Sequence, residues 1–251
     1  MKKQLFFTLG AIGIALTTTL SLTSGSQASD ELQNPIGVVE LFTSQGCSSC
    51  PPADKTLSKL IEEGQVLALS YHVDYWNYLG WVDTLATKES TDRQYAYAKT
   101  LQRRGVYTPQ VIVNGRDHLV GSNYNGIKAK VSTFEQTERG LAVPLSISAS
   151  DDEISISIGE GQGKASIVAV YFDNENTIDI KRGENRGRKI TYHHSVRDIE
   201  TIGMWYGDAQ EIKLPMAVME KVKDGGAAIL LQSMANGGTP GAILGAASYK
   251  G

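Results

Sequence analysis

The chain has 251 residues, with 24 Lys and Arg against 27 Asp and Glu, for a formal net charge of −3. That balance supplies no global basic field, which argues against nucleic acid as a partner. The length suffices for two domains of ordinary size, each with its own hydrophobic core.

Lys2 and Lys3 precede an apolar run from about Leu5 to Leu20, followed by Ser26-Gln27-Ala28. This is the order of a secretory signal peptide, with Ser26 and Ala28 as the small residues before a cleavage point. The run is short for an anchor and contains Thr17-Thr18-Thr19, and no other stretch approaches the ~18 apolar residues of a spanning helix. Residues 1–28 are therefore expected to be a signal peptide. The mature protein is expected to be exported, periplasmic or extracellular, with no membrane span after cleavage.

Gly37 to Thr43 is a short β-branched and aromatic run, interrupted by Glu40, and fits a buried strand with one polar inward residue. It leads into Cys47-Ser48-Ser49-Cys50-Pro51-Pro52, which holds the only two cysteines. Leu57, Leu60 and Ile61 then recur at helical spacing, with Gly64 at the C-cap position. Val66 to Val73 is a second strand, followed by an aromatic stretch with Tyr71, Tyr75, Trp76, Tyr78 and Trp81. Thr91-Asp92 offers an N-cap for a helix carrying Tyr95, Ala98 and Leu101. Gln110 to Val113 and His118 to Val120 flank Asn114-Gly115, a strong hairpin signal. Ile127, Val131 and Phe134 mark a further helix, closed by Gly140. The order from Val38 to Gly140 is βαβαββα.

Beyond Gly140 the period changes. Leu145 to Ser148 and Ile154 to Ile158 alternate strictly about the acidic turn Asp151-Asp152-Glu153, and further strands are expected at Ser166 to Phe172, Lys189 to Tyr192, Gln210 to Leu214 and Ala227 to Gln232. Several short strands without a helix predict an antiparallel β-sandwich-like domain over residues 142–251, after a first domain over 29–141.

An exported protein keeps its disulfides. A bridge between cysteines three positions apart restrains little chain entropy, so its use is expected to be chemical. Pro51 disfavours helical geometry at Cys50, so the helix either begins at Pro51 with Cys50 as its cap or has a distorted first turn. His72 could reach the cysteines, although a strand histidine is more often structural. A metal reading would join Cys47 and Cys50 to His72 or His193-His194, but one CxxC is only half of a usual zinc set. Lys181 to Lys189 holds five basic residues against one acid; it is either a solvated hairpin loop or one folded back on the first domain, screening the CxxC or recognising an acidic partner. Gly159 to Lys164 lacks the spacing of a phosphate loop and is expected to be a hairpin turn. The sequence calls for no cofactor.

The βαβαββα order, the CxxC at the first strand-to-helix turn and Thr108-Pro109 before a hairpin strand together resemble the thioredoxin fold. More narrowly, Val38 to Asp54, His72-Val73-Asp74-Tyr75-Trp76 and Arg182-Gly183-Glu184-Asn185 resemble a family of secreted bacterial thioredoxin-like proteins known only as a domain of unknown function. The resemblance implies thiol-disulfide exchange with protein or small-thiol partners, with Cys47 as the exposed nucleophile and Cys50 as the resolving thiol. It also implies a proton acceptor at Glu40 and a cis bond at Thr108-Pro109 that presents backbone to substrate. The rival expectation is a binding module with a merely structural disulfide; a metallochaperone is a third.

Overall fold

In the computed structural model, Met1, residues 35–222 and residues 224–250 are described. The expected signal peptide at 1–28 lies outside them, apart from Met1. The elements in order are β1 (Val38–Thr43), α1 (Pro51–Glu63), β2 (Leu67–His72), α2 (Lys88–Thr100), β3 (Gln110–Val113), β4 (Asp117–Val120) and α3 (Tyr124–Glu135). Then follow β5 (Leu145–Ala149), β6 (Glu153–Ile158), β7 (Ala165–Asp179), β8 (Lys189–Trp205), β9 (Gln210–Pro215), β10 (Gly225–Met234) and β11 (Pro240–Lys250).

Eight strands form one sheet in the order β11-β10-β7-β8-β2-β1-β3-β4, and β5-β6-β9 form a second. The segment between α3 and β5 holds the expected domain boundary, yet the large sheet runs on across it. β8 joins the halves by pairing parallel to β2 through Ser70 and Ser195. Strict alternation puts Ile154, Ile156 and Ile158 of the small sheet against Ile167, Ala169, Ile229 and Leu231 of the large one, which accounts for the second core.

β1 is fully buried because both its faces are covered. Val39 and Leu41 pack with Ala53, Leu57 and Leu60 of α1. Val38 and Phe42 pack on the other face with Tyr97 of α2. This division decides which side chains of β1 can reach the helix that follows the cysteines.

Several local features differ from the expectations. α2 is capped by Thr87, whose hydroxyl accepts from Ser90 N, because the Thr91 hydroxyl is turned to the carboxylate of Asp74. Residues 159–164 connect β6 of one sheet to β7 of the other, so they form a crossover and not a hairpin turn. β7 and β8 are far longer than their apolar segments, and β11 lacked a clear strand signal. Asn114 and Gly115, both at positive φ, do join β3 to β4. The Asn114 side chain also accepts from Val38 N at 2.7 Å, fixing the hairpin to β1.

Candidate functional site

Cys47 and Cys50 are joined by a disulfide with their Cα atoms 5.4 Å apart. Helix α1 begins at Pro51, with Cys50 as its cap. Cys50 is nevertheless in the right-handed helical region (φ −77°, ψ −36°), against the usual bias before proline. The turn imposes this geometry: Cys50 N donates to Cys47 O at 3.2 Å, and Cys50 O accepts from Ala53 N and Asp54 N at 2.8 and 3.1 Å. Pro51 and Pro52 carry no N–H, and Ala53 and Asp54 have committed theirs. The first turn therefore has few free backbone donors for a thiolate. What the Cys47 sulfur does have is the Ser49 hydroxyl at 3.3 Å.

Trp76 ties this turn to Thr108–Pro109. Its Cβ lies 3.1 Å from where a Cβ on Gly46 would stand, and its indole N–H donates to the Thr108 hydroxyl at 2.8 Å. The Thr108–Pro109 bond is cis. Cys47, Cys50, Thr108 and Pro109 thus belong to one locality. Glu40 does not share it. Its side chain lies on the α2 face of β1, where Arg93 Nε donates to it at 2.7 Å and the Tyr97 hydroxyl also bonds it. This is a buried ion pair, on the opposite face of the strand from α1.

The polar groups beside α1 are different ones. Thr43, the last residue of β1, donates its hydroxyl to Asp54 Oδ1 at 2.7 Å, while Asp54 Oδ2 is buried without a protein partner. His72 ends β2 fully buried, with Nδ1 2.9 Å from Asp83 Oδ2. Asp83 also accepts from Gln45 N and Leu85 N, at 2.8 and 2.9 Å. Burial pushes the Asp83 carboxyl up, but His72 and those two N–H groups outweigh it and hold the group below its ordinary value. An ionised Asp83 can only accept, so the proton in this contact sits on His72 Nδ1. For Asp54, burial dominates and pushes the carboxyl up to about 7, with His72 and the Thr43 hydroxyl pulling against it.

The basic loop is folded back on this site. Residues 180–188 cap the long β7–β8 arm and form a strap over the CxxC turn. Buried Asn185 donates to Gln45 O and Cys47 O at 3.0 and 2.8 Å, and Glu184 accepts from Ser48 N at 3.1 Å. Gly183 has φ +75°, and a Cβ there would meet the Cβ of Trp81 at 3.1 Å, so the strap needs glycine at this point. Trp81 in turn donates to Gln45 Oε1 at 2.8 Å. Under these contacts Cys47 is 1% and Cys50 0% exposed. Beside the strap, a cleft between α1 and β8 is lined by Pro51, Asp54, Lys59, Arg188 and Lys189.

No set of three or more His, Cys, Asp or Glu side chains suited to a metal ion occurs among the described residues. His72 instead turns to Asp83, and His194 Nδ1 to the carbonyl of Ala68 at 2.8 Å. Sequence reasoning missed Asp54, Asp83 and Asn185. The one available signal, for Asn185 alone, was the basic stretch Lys181 to Lys189 read as a loop folded back over the CxxC.

A family model described as a protein of unknown function, DUF1223, matches residues 38–232, from β1 into β10. The chain belongs to this family. An Agrobacterium tumefaciens protein whose crystal structure comes from a structural genomics consortium is 53% identical to this chain, with a TM-score of 0.81. The likeness covers 86% of this chain and 95% of that one. HBP35 of Porphyromonas gingivalis is 16% identical with a TM-score of 0.62, over 84% of this chain and 74% of that one, and is similar in fold alone. A search of the curated proteins gives no match. Membership of DUF1223 therefore brings no activity with it.

Proposed function

We propose that this DUF1223 protein is an exported thiol-disulfide oxidoreductase that uses Cys47 and Cys50, on a thioredoxin-like framework spanning β1 to α3. The observation that carries the reading is the disulfide at a strand-to-helix junction, tied through Trp76 to a cis Thr108–Pro109 bond. The element order β1-α1-β2-α2-β3-β4-α3 supports the framework. Lys2-Lys3, the apolar run and Ser26-Gln27-Ala28 support export.

In this reading a partner thiolate attacks Cys47 Sγ, the Sγ–Sγ bond breaks and Cys50 leaves as thiolate; the partner's second thiolate then displaces Cys47 and the partner dithiol leaves as a disulfide, while the reverse sequence reduces a partner disulfide. The Ser49 hydroxyl stabilises the Cys47 thiolate where backbone donors are lacking. Partners are protein or small thiols and disulfides. The strap excludes them until it moves, since both cysteines are buried in the latched state.

A second reading is favoured by that same burial: a binding module whose disulfide is structural. Catalysed reduction of insulin by dithiothreitol separates the two. The oxidoreductase reading expects acceleration that vanishes in Cys47→Ser, whereas a rate equal to the uncatalysed one supports the binding module.

A further inference from the structure

Asp54 stands one helical turn beyond Cys50, and helical side chains lean back toward the N-terminus. Its carboxyl is therefore carried on the same face of α1 as Cys50 and over the preceding turn. The Asp54 N–H, bonded to Cys50 O at 3.1 Å, holds this relation.

Three buried polar atoms around it have no protein partner: Asp54 Oδ2, His72 Nε2 and the Tyr192 hydroxyl. They belong to one cluster. The His72 and Tyr192 rings meet edge-on with centroids 4.7 Å apart, and Asp54 is close enough to interact electrostatically with both. Leaving such groups unsatisfied forfeits their solvation without a compensating hydrogen bond, a cost that calls for an explanation.

We infer that Asp54 is the group that exchanges a proton with Cys50, with His72 and Asp83 behind it setting its charge. The inference rests on thiol-disulfide exchange at Cys47–Cys50 and adds where the proton goes. On reduction by a thiol, the attacking thiolate forms a bond to Cys47 Sγ, and the Cys47–Cys50 electron pair leaves on Cys50. The Asp54 carboxylic acid then protonates Cys50 and becomes carboxylate. In the return step that carboxylate takes the Cys50 proton. The Cys50 thiolate attacks Cys47 Sγ, re-forms the disulfide and expels the partner as thiolate.

A value of about 7 in the disulfide state suits a group that both gives and takes a proton near neutrality. The groups facing it come from several elements: Thr43 from β1, His72 from β2, Asp83 from the loop beyond and Tyr192 from β8. On the solvent side, Lys55, Lys59 and Glu62 of α1 and Arg188, Lys189 and His193 rim the cleft. Glu40 cannot serve, because it lies on the other face of β1 in its pair with Arg93.

The test is rapid-mixing reduction of the oxidised protein by dithiothreitol from pH 5 to 9, with wild type divided by Asp54→Asn at each pH to cancel the reagent's own ionisation. The expected ratio falls at least about tenfold through an inflection near 7, as the acid form of Asp54 is lost. A ratio that is flat with pH overturns the assignment. Thr43→Val keeps the carboxyl but removes a hydrogen bond that lowers its pKa, so its inflection should move to higher pH. If Asp54→Asn does not fold, this variant decides alone, and an unmoved inflection overturns the inference. A wild-type disulfide that dithiothreitol cannot reduce under native conditions sinks both the exchange reading and the Asp54 role; normal reduction with a flat ratio sinks only the latter.

Discussion

The carboxamide of Asn185 donates to the carbonyl oxygen of Cys47 at 2.8 Å, although 138 residues separate them in sequence. The same amide nitrogen also bonds Gln45 O, so one buried side chain from the β7–β8 arm holds both ends of the approach to the CxxC. The arm reaches that place because β8 pairs with β2 in the large sheet.

Asn185→Ala should leave the buried Gln45 carbonyl oxygen without its donor and the Cys47 oxygen with Cys50 N alone, and cost about 1–3 kcal/mol in urea unfolding. It should also speed reduction of the disulfide by a bulky thiol more than by a small one, because it loosens the strap. Equal acceleration for both reagents, or none, would show that the strap does not control access.

Glu40→Gln should destabilise the protein by about 3–5 kcal/mol, since it leaves Arg93 nearly buried and uncompensated. Glu40→Gln with Arg93→Met should recover part of that loss. Where the single variant is still folded, its exchange rate should keep the wild-type pH profile, measured as for Asp54→Asn.

Asp54→Asn should stabilise the protein at neutral pH. The folded-state value of about 7 lies above the ordinary 3.8, so between these limits the folded chain binds a proton that the unfolded chain does not. Stability from this group is full below about 4 and is lost as pH rises toward 7. The variant's advantage in urea should therefore be small near pH 4 and grow to a plateau above 7, on the order of 4 kcal/mol. Asp83 has the opposite sign, being held low, and its contribution is lost on acidification in both proteins. An advantage independent of pH would contradict the burial of an ionisable Asp54.

Ser49→Ala should remove the hydroxyl beside Cys47 Sγ. One hydrogen bond of about 1 kcal/mol corresponds to roughly fivefold in thiolate population. Alkylation of Cys47 in the reduced protein at neutral pH should slow by about that factor, with Ser48→Ala as the control that leaves it unchanged.

The elements from Val38 to Gly140 were legible because each announces itself locally. Leu57, Leu60 and Ile61 mark α1 and Asn114-Gly115 marks the hairpin, whereas Pro51 left two starts for α1 open, of which the structure takes the one at Pro51 with Cys50 as its cap. The 193–205 half of β8 was not legible. Its burial alternates weakly, and it is held by partners on both sides in the sheet and not by its own composition. The site divides the same way. Cys47, Cys50 and Thr108–Pro109 stand out in sequence, whereas Asp54 is merely one acid in the first turn of a helix, where acids are common. Only the Thr43 and His72 neighbours distinguish it. Glu40 drew attention as a carboxylate in an apolar strand, but the face of β1 it occupies depends on where α1 and α2 pack.

The most direct test of the central claim is the reduction potential of the Cys47–Cys50 pair, from equilibration in glutathione or dithiothreitol redox buffers with alkylation and mass readout. An exchange-active pair should titrate reversibly as a two-electron couple with a potential above about −300 mV. A value below about −300 mV, or a pair that reduces only when the protein unfolds, would mark a structural disulfide and contradict the proposed function.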